Sequence, residues 1–374
     1  MSVIIKSNVA ATRHLGNVFL QSIPYDYSGF FDFNTENYLV KTNGQEEALS
    51  LNEVISVVRN SIGGYKKTDG SYATAAINTP RLHYVDRVAK KGLLSGSIKR
   101  NELLNSASPA TQTVTFALNV GSKWVGRVVG SGKMTLSGAI SGEVTENSPL
   151  TYTHIIGGNI ASATVTATIT GSLSYIELAQ IDGTAAIEPT RIITTNAAVA
   201  TDRDIINLNQ VQAGKMIGSQ GTIILETHQL DGDFETQGSV THRFQAFQVF
   251  TATASNGFIF DELRAFDGMS QAVTLTKQNN GSTLATASGS SVLGKKNNYA
   301  IAFDKQNATI GINNSALISI SDSTEITAVG GRATLASTSS AAGKGPNLII
   351  TKAIFYNRKL SDSEITQVLS LMNG

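Results

Sequence analysis

The sequence predicts a mainly β protein. Two antiparallel, jelly-roll-like β-sandwich domains follow a small mixed N-terminal region, and a short helix closes the chain. Three observations carry this. Ser, Thr, Asn and Gly number 38, 39, 27 and 34 of 374 residues, and Thr favours strands while Asn and Gly favour turns. Apolar and polar residues alternate over many short segments from residue 109 onward. Glycine-rich turn signals separate those segments at short intervals.

Residues 1–58 form one unit. It holds the aromatic run Asp26-Tyr27-Ser28-Gly29-Phe30-Phe31-Asp32-Phe33 and an amphipathic helix predicted over 46–58. Leu51, Val54, Ile55 and Val58 fall at i, i+3, i+4, i+7, and Glu46 and Glu47 lie where the macrodipole favours acids. Residues 59–108 read as an extended, irregular connector, with turns at Gly63-Gly64 and Asp69-Gly70 and an extended Thr79-Pro80. Its basic pairs Lys66-Lys67, Lys90-Lys91 and Lys99-Arg100 read first as a solvated surface, and second as a face for lipopolysaccharide or nucleic acid.

Residues 109–195 read as the first sandwich. Val114, Phe116, Leu118 and Val120 alternate with polar neighbours, and further strands are predicted at 124–129, 133–137, 151–156, 163–169 and 173–178. Turns are expected at Gly130-Ser131-Gly132, Gly157-Gly158-Asn159 and Gly171-Ser172. Residues 196–220 read as a linker. The second sandwich, 221–374, has strands predicted at 222–227, 243–251, 257–263, 272–277, 298–303, 309–313 and 348–356, with a hairpin turn at Asn279-Asn280-Gly281. Ser361-Asp362-Ser363-Glu364 fits a capping box, and Ile365, Val368, Leu369 and Met372 form the apolar face of the helix it starts.

Composition excludes several functions. Lys plus Arg number 29 and Asp plus Glu 28, so no global basic field holds nucleic acid. No apolar run reaches the length of a membrane span. Cysteine is absent, which removes disulfides, thiolate metal sites and Cys nucleophiles. Hydroxyl- and amide-rich surfaces of this kind occur on extracellular adhesins, sugar-binding modules and virion fibres. The sequence starts Met1-Ser2-Val3-Ile4-Ile5-Lys6, without the pattern of a secretory signal. A virion component made in the host cytoplasm and released by lysis reconciles the two.

Candidate chemistry is sparse. The histidines His14, His83, His154, His228 and His242 fit no zinc spacing, although His228 and His242 could meet on neighbouring strands. Asp231-Gly232-Asp233 places carboxylates at i and i+2, a spacing that serves a calcium ion or a plain tight turn. Asp267-Gly268 and Asp261-Glu262 read the same way, with Asp231, Asp233 and Asp267 as the candidate ligand-binding residues. Calcium is the one cofactor considered. No Gly-x-Ser-x-Gly or phosphate loop is present, and the chain is read as non-catalytic. Trp124, Phe244, Phe247 and Phe250 are assigned to the core.

Two stretches resemble known families. The first is Gly70-Ser71-Tyr72-Ala73-Thr74-Ala75-Ala76-Ile77-Asn78-Thr79-Pro80-Arg81-Leu82-His83-Tyr84, with Gly92-Leu93-Leu94 and Arg100-Asn101-Glu102-Leu103-Leu104. It resembles a block in tailed-bacteriophage virion structural proteins, where it precedes a jelly-roll module ending in a Tyr-containing strand and a Pro-Thr-x-x-Ile-x-Thr segment. Here those are Ser174-Tyr175-Ile176-Glu177-Leu178 and Pro189-Thr190-Arg191-Ile192-Ile193-Thr194-Thr195; Gly92-Leu93-Leu94-Ser95 departs from the pattern, which often has an acidic residue there. The second, Ala353-Ile354-Phe355-Tyr356-Asn357-Arg358-Lys359-Leu360-Ser361-Asp362-Ser363-Glu364-Ile365, resembles the C-terminal edge of laminin-G/concanavalin A-like lectin sandwiches.

The resemblances imply a fibre, collar or capsid decoration. Residues 1–58 would anchor it to other virion proteins, it would be a homotrimer, and its sandwiches would attach weakly and multivalently to host-surface polysaccharide. Nucleic acid and membrane insertion are not expected. A tail receptor-binding protein with a defined glycan, or a polysaccharide depolymerase, are the alternatives.

Overall fold

A computed structural model of the chain describes residues 22–96, 99–155, 157–181, 191–201, 204–230, 241–250, 257–265, 271–290, 296–326, 332–336 and 348–373. The chain is mainly β, and its large sheets are antiparallel. Two of them pack face to face as the C-terminal sandwich. The first runs in the order Ile318–Ser321, Asn307–Ile312, Lys296–Phe303, Gly221–Gln229, Leu348–Tyr356, Gly29–Asp32, Asn37–Thr42, Gln45–Leu49, with the ribbon Leu82–Val85 and Lys90–Ser95 attached to Leu348–Tyr356. The second runs Ser282–Ser290, Gln271–Asn279, Gly257–Ala265, Thr241–Phe250, Arg332–Ala336, Ile205–Leu208, Ile55–Val58.

Phe31, Ile223, Tyr299 and Ile301 from the first sheet meet Phe258, Leu275, Leu335 and Ile206 from the second in one core. The outer face of the first sheet is apolar too. Phe30, Ile224, Ala300 and Ile354 lie under Ile365, Val368, Leu369 and Met372 of the terminal helix Asp362–Asn373. A strand covered on both faces reads as a continuous apolar run, which is why Leu348–Tyr356 shows little alternation.

The predicted helix over 46–58 is not formed. Residues 51–54 make a single turn, Leu51–Val54, capped by Ser50 and Glu53. Glu46 and Glu47 lie in a strand opposite Lys41 and Val40, and Ile55–Val58 is a strand with Ile55 and Val57 buried. The β-branched run Val54-Ile55 and Val57-Val58 fits a pleated surface better than a helix. The strands of residues 29–58 thereby join the same two sheets as the C-terminal half. Residues 59–108 carry five short strands instead of an irregular path.

The first sandwich is built on two long strands, Lys123–Gly138 and Ile160–Ile181, paired along their length. Twenty-two extended residues would span about 70 Å, so the pair must bend to enclose a core. It bends where Ser131 faces Ser172 and Gly132 faces Gly171, beside a register shift between Val129 and Gly130. Gly130 and Gly171 have positive φ, and a Cβ on Gly130, Gly132 or Gly171 would press into the opposite backbone. The glycines expected to end strands therefore act as mid-strand bulges. Trp124, Val128, Ile176 and Leu178 from one half join Met134, Leu136, Ala163 and Val165 from the other in a single core. Trp124 is a core residue as expected: it packs on Phe116 at 4.5 Å and donates to Ser122 Oγ at 3.0 Å.

The segments of the first resemblance are tied together by polar contacts. Asn101 is fully buried. Its amide donates to the carbonyls of Ile176 and Ile192, and its carbonyl accepts from the amides of Leu103 and Leu178. Tyr175 Oη accepts from the Ile192 amide at 3.0 Å, and Arg191 stacks on the Tyr72 ring at 3.4 Å. Arg81 and Arg59 are both buried on Asp204, which also accepts from the Gly96 amide. These residues hold the connector, the first sandwich and the segment entering the second sheet in fixed relation.

Candidate ligand-binding groove

The second resemblance folds into one wall of an open groove of about 560 Å³ at the outer edge of the first sheet. The opposite wall is the edge pair Asn307–Ile312 and Ile318–Ser321. Alternation puts Ile318 and Ile320 toward the protein and Ser319 and Ser321 outward. Asn307 and Thr309 sit at matching positions on the neighbouring strand, opposite Ser321 and Ser319, and Thr309 Oγ1 lies 3.0 Å from Ser319 Oγ.

Local sequence fixes the other wall. Tyr356 Oη donates to the Pro24 carbonyl, and Leu360 is buried. Thr222 Oγ1 accepts from the Leu360 amide and donates to the Arg358 carbonyl, both at 2.9 Å, which holds the 357–360 loop against the sheet. The expected capping box forms: the Ser361 amide donates to Glu364 Oε2 at 2.8 Å, and the Glu364 amide to Ser361 Oγ at 3.4 Å. Arg358 grips Glu364 in a two-point pair at 2.9 and 2.7 Å. Lys359 Nζ reaches Asp304 Oδ2 at 3.0 Å.

Glu364 on this wall, and Asp304 paired with Lys359 behind it, are held ionised. The Arg358 guanidinium, aided by the Ser361 amide, pulls Glu364 down to about 2. Burial pushes Asp304 up, but the amides of Gln306 and Asn307 together with Lys359 outweigh it and leave it below the ordinary range. A glycosidase acid needs a carboxyl raised toward neutrality; Glu364 and Asp304 are shifted the other way. The groove offers hydroxyls, an amide and two oriented cationic side chains, a donor and acceptor set suited to polar, hydroxyl-rich ligands.

The candidate residues Asp231, Asp233 and Asp267 lie outside the described residues, as does His14, and the side chains of His242, Phe244, Phe247 and Phe250 are likewise not described. His228 is buried and faces Glu226 at 3.5 Å. His154 is buried, with Nε2 2.9 Å from the Gly158 carbonyl. Among the described residues no three His, Asp or Glu converge as a metal site, and no helix is long and apolar enough to cross a membrane. Asn307, Thr309, Ser319 and Ser321 were not singled out from the sequence. Their signal was the alternation in Ile318-Ser319-Ile320-Ser321, whose polar members face outward at a sheet edge.

No family model matches the chain, and no curated protein matches it. Solved structures resemble it at low similarity. CBM40 of the Ruminococcus gnavus IT-sialidase, bound to α2,3-sialyllactose, is 17% identical over 41% of this chain and 84% of that one, with a TM-score of 0.29. The binding domain of botulinum neurotoxin serotype C1 is 14% identical over 45% of this chain and only 40% of that one, with a TM-score of 0.31. Domains LG4-5 of the mouse laminin α1 chain are 12% identical over 76% of this chain and 92% of that one, with a TM-score of 0.24. Similarity at this level transfers neither a ligand nor a site residue to this chain.

Proposed function

We propose that the chain is a non-catalytic, glycan-binding β-sandwich protein that is displayed in several copies on a tailed-phage particle as a fibre, collar or decoration. The observation that carries the binding reading is the groove itself. Ser319, Ser321 and Asn307 face a wall whose Arg358 and Lys359 are fixed by ion pairs, and Glu364 on that wall is held in the ionised form. Attachment through many weak polar contacts gains about 10²–10⁴ in effective affinity from multivalent display. The virion setting draws its support from the first resemblance, and a homotrimer is the arrangement proposed for it.

The test is binding of the full chain to immobilised neutral and charged host-surface polysaccharides. Ser321→Trp fills the groove from an exposed position, and Lys359→Gln removes a donor; each is expected to lower affinity roughly tenfold. Unchanged binding in both variants refutes the groove. Gold labelling of purified virions tests the setting: label on the particle supports it, and a clean particle refutes it. Light scattering that returns a monomer at micromolar concentration refutes the trimer.

A further inference from the structure

A second polar cluster lies on the outer face of the first sheet, at the far end of the terminal helix from the groove. Its centre is Glu226, buried on the strand Gly221–Gln229. A register shift between Glu226 and Thr227 locally breaks the pairing with Leu348–Tyr356, the kind of bulge that re-aims a side chain. Lys90 Nζ donates to Glu226 Oε1 at 3.1 Å, Lys296 Nζ lies 3.4 Å from Oε2, and Lys352 Nζ lies 3.9 Å from Oε2. Thr351 Oγ1 donates to Oε1 at 2.6 Å. These groups come from four strands adjoining in one sheet.

One ammonium is enough to balance a buried carboxylate. Three converge here, and Lys90 and Lys296 keep 34% and 37% of their side-chain surface open to solvent. Glu226 shows that a single carboxylate can engage both ammoniums. His228 adds a ring nitrogen that is buried, 3.5 Å from Glu226 Oε1, and without a hydrogen bond at normal length. Lys296 also donates to the Met372 carbonyl at 2.7 Å, which fixes its ammonium at the helix C-terminus.

We infer that the solvent side of Lys90 and Lys296 is a binding site for an oxyanion group, a carboxylate, sulfate or phosphate, borne on a polysaccharide. The helix rise separates Ser361 at the groove from Met372 at this cluster by about 16 Å, so one extended sugar chain can reach both. Only the identity of the carrier rests on the glycan reading; the anion site stands without it.

The experiment is titration calorimetry on the full chain with three probes: inorganic sulfate, dextran sulfate, and unsubstituted dextran as the neutral carrier. Polyglucuronate and a polyphosphate-bearing glycan distinguish carboxylate from phosphate sources. The expected result is binding of the anionic probes that weakens between 20 and 200 mM salt, as charge-driven binding must. Lys90→Gln and Lys296→Gln should each cost roughly tenfold, with Lys67→Gln as the exposed control without effect. Glu226→Gln keeps the shape, removes the competing charge, and should tighten binding. Equal binding in wild type, K90Q and K296Q, or weaker binding in a folded E226Q, overturns the proposal. So does the absence of any heat with the anionic probes at 20 mM salt. Anionic binding that survives Ser321→Trp supports this site even if every neutral glycan fails, which would overturn the groove alone.

Discussion

Lys277 provides a sharp test of how the second sheet is held. Its side chain is fully buried. The ammonium donates to the carbonyls of Gln306, Asp322 and Thr324 at 2.8, 3.0 and 2.6 Å, and to the Asp322 carboxylate at 3.1 Å. One cation from the strand Gln271–Asn279 thereby closes the turn after Phe303 and the turn after Ser321, both of which belong to the opposite sheet. Lys277→Met keeps most of the side-chain volume and removes the charge. Three carbonyls then face an apolar group, each costing about 1–3 kcal/mol if left unsatisfied. The recovered desolvation of the ammonium offsets part of this, and the partly exposed Asp322 carboxylate returns to water when the lysine is gone. Urea unfolding monitored by Trp124 fluorescence and by circular dichroism should show the midpoint fall with little change in slope. A loss below about 1 kcal/mol would refute the reasoning, because it would mean the carbonyls find water without the lysine.

Three further outcomes follow from other contacts. Asn101→Leu removes four buried hydrogen bonds joining three segments, and should cost roughly 2–4 kcal/mol in the same urea assay. His83 is buried, its Nδ1 accepts from the Lys66 amide, and burial with Arg81 and Lys66 nearby pulls it from 6.5 to about 3. The folded state therefore keeps it neutral while the unfolded state takes a proton below 6.5. Stability should drop by about 2 kcal/mol between pH 7 and pH 5, and His83→Leu should flatten that slope. Glu364 has its folded pKa depressed, so its pairing with Arg358 stabilises above the ordinary carboxylate range and is lost as pH falls from about 4.5 toward 2. Arg358→Gln should raise that titration, read by carboxyl NMR.

Local chemistry made part of this fold legible. Asn280 and Gly281 both take positive φ, the geometry that the two-residue hairpin demands, and the predicted strand before the turn pairs with Ser282–Ser290, which was not among the strands predicted. The capping box at Ser361 and the apolar face of Ile365, Val368, Leu369 and Met372 formed as read. Non-local pairing was not legible. Nothing near Gly29–Asp32 announces that it pairs with Leu348–Tyr356 more than 300 positions away. The same limit hid Lys90, which reads as one of a solvated pair until the sheet places it on Glu226. Gly130 and Gly171 carried the right conformational signal, but a positive φ marks a bulge as readily as a turn. Of the groove, Arg358 and Lys359 stood within a quoted motif, while the facing wall depended on which strands became neighbours.

The residues that make the sequence resemble other proteins mostly point inward. Arg81 is spent on Asp204, Asn101 on four backbone groups, Tyr175 on Ile192, and Leu360 on the space beneath its loop. A motif of this kind specifies how segments are joined, and says little about what the surface touches. Ligand choice must then reside in side chains that the joining does not constrain. Thr113 and Thr166 pair their hydroxyls on an exposed face of the first sandwich, whereas Ser321 and the outer ends of Lys90 and Lys296 are exposed on the second. On the proposed reading, exchanging the second group is expected to change binding without touching the core, and exchanging the first motif's buried residues to change stability alone. That separation is what the Ser321→Trp and Asn101→Leu variants measure when both are put through both assays.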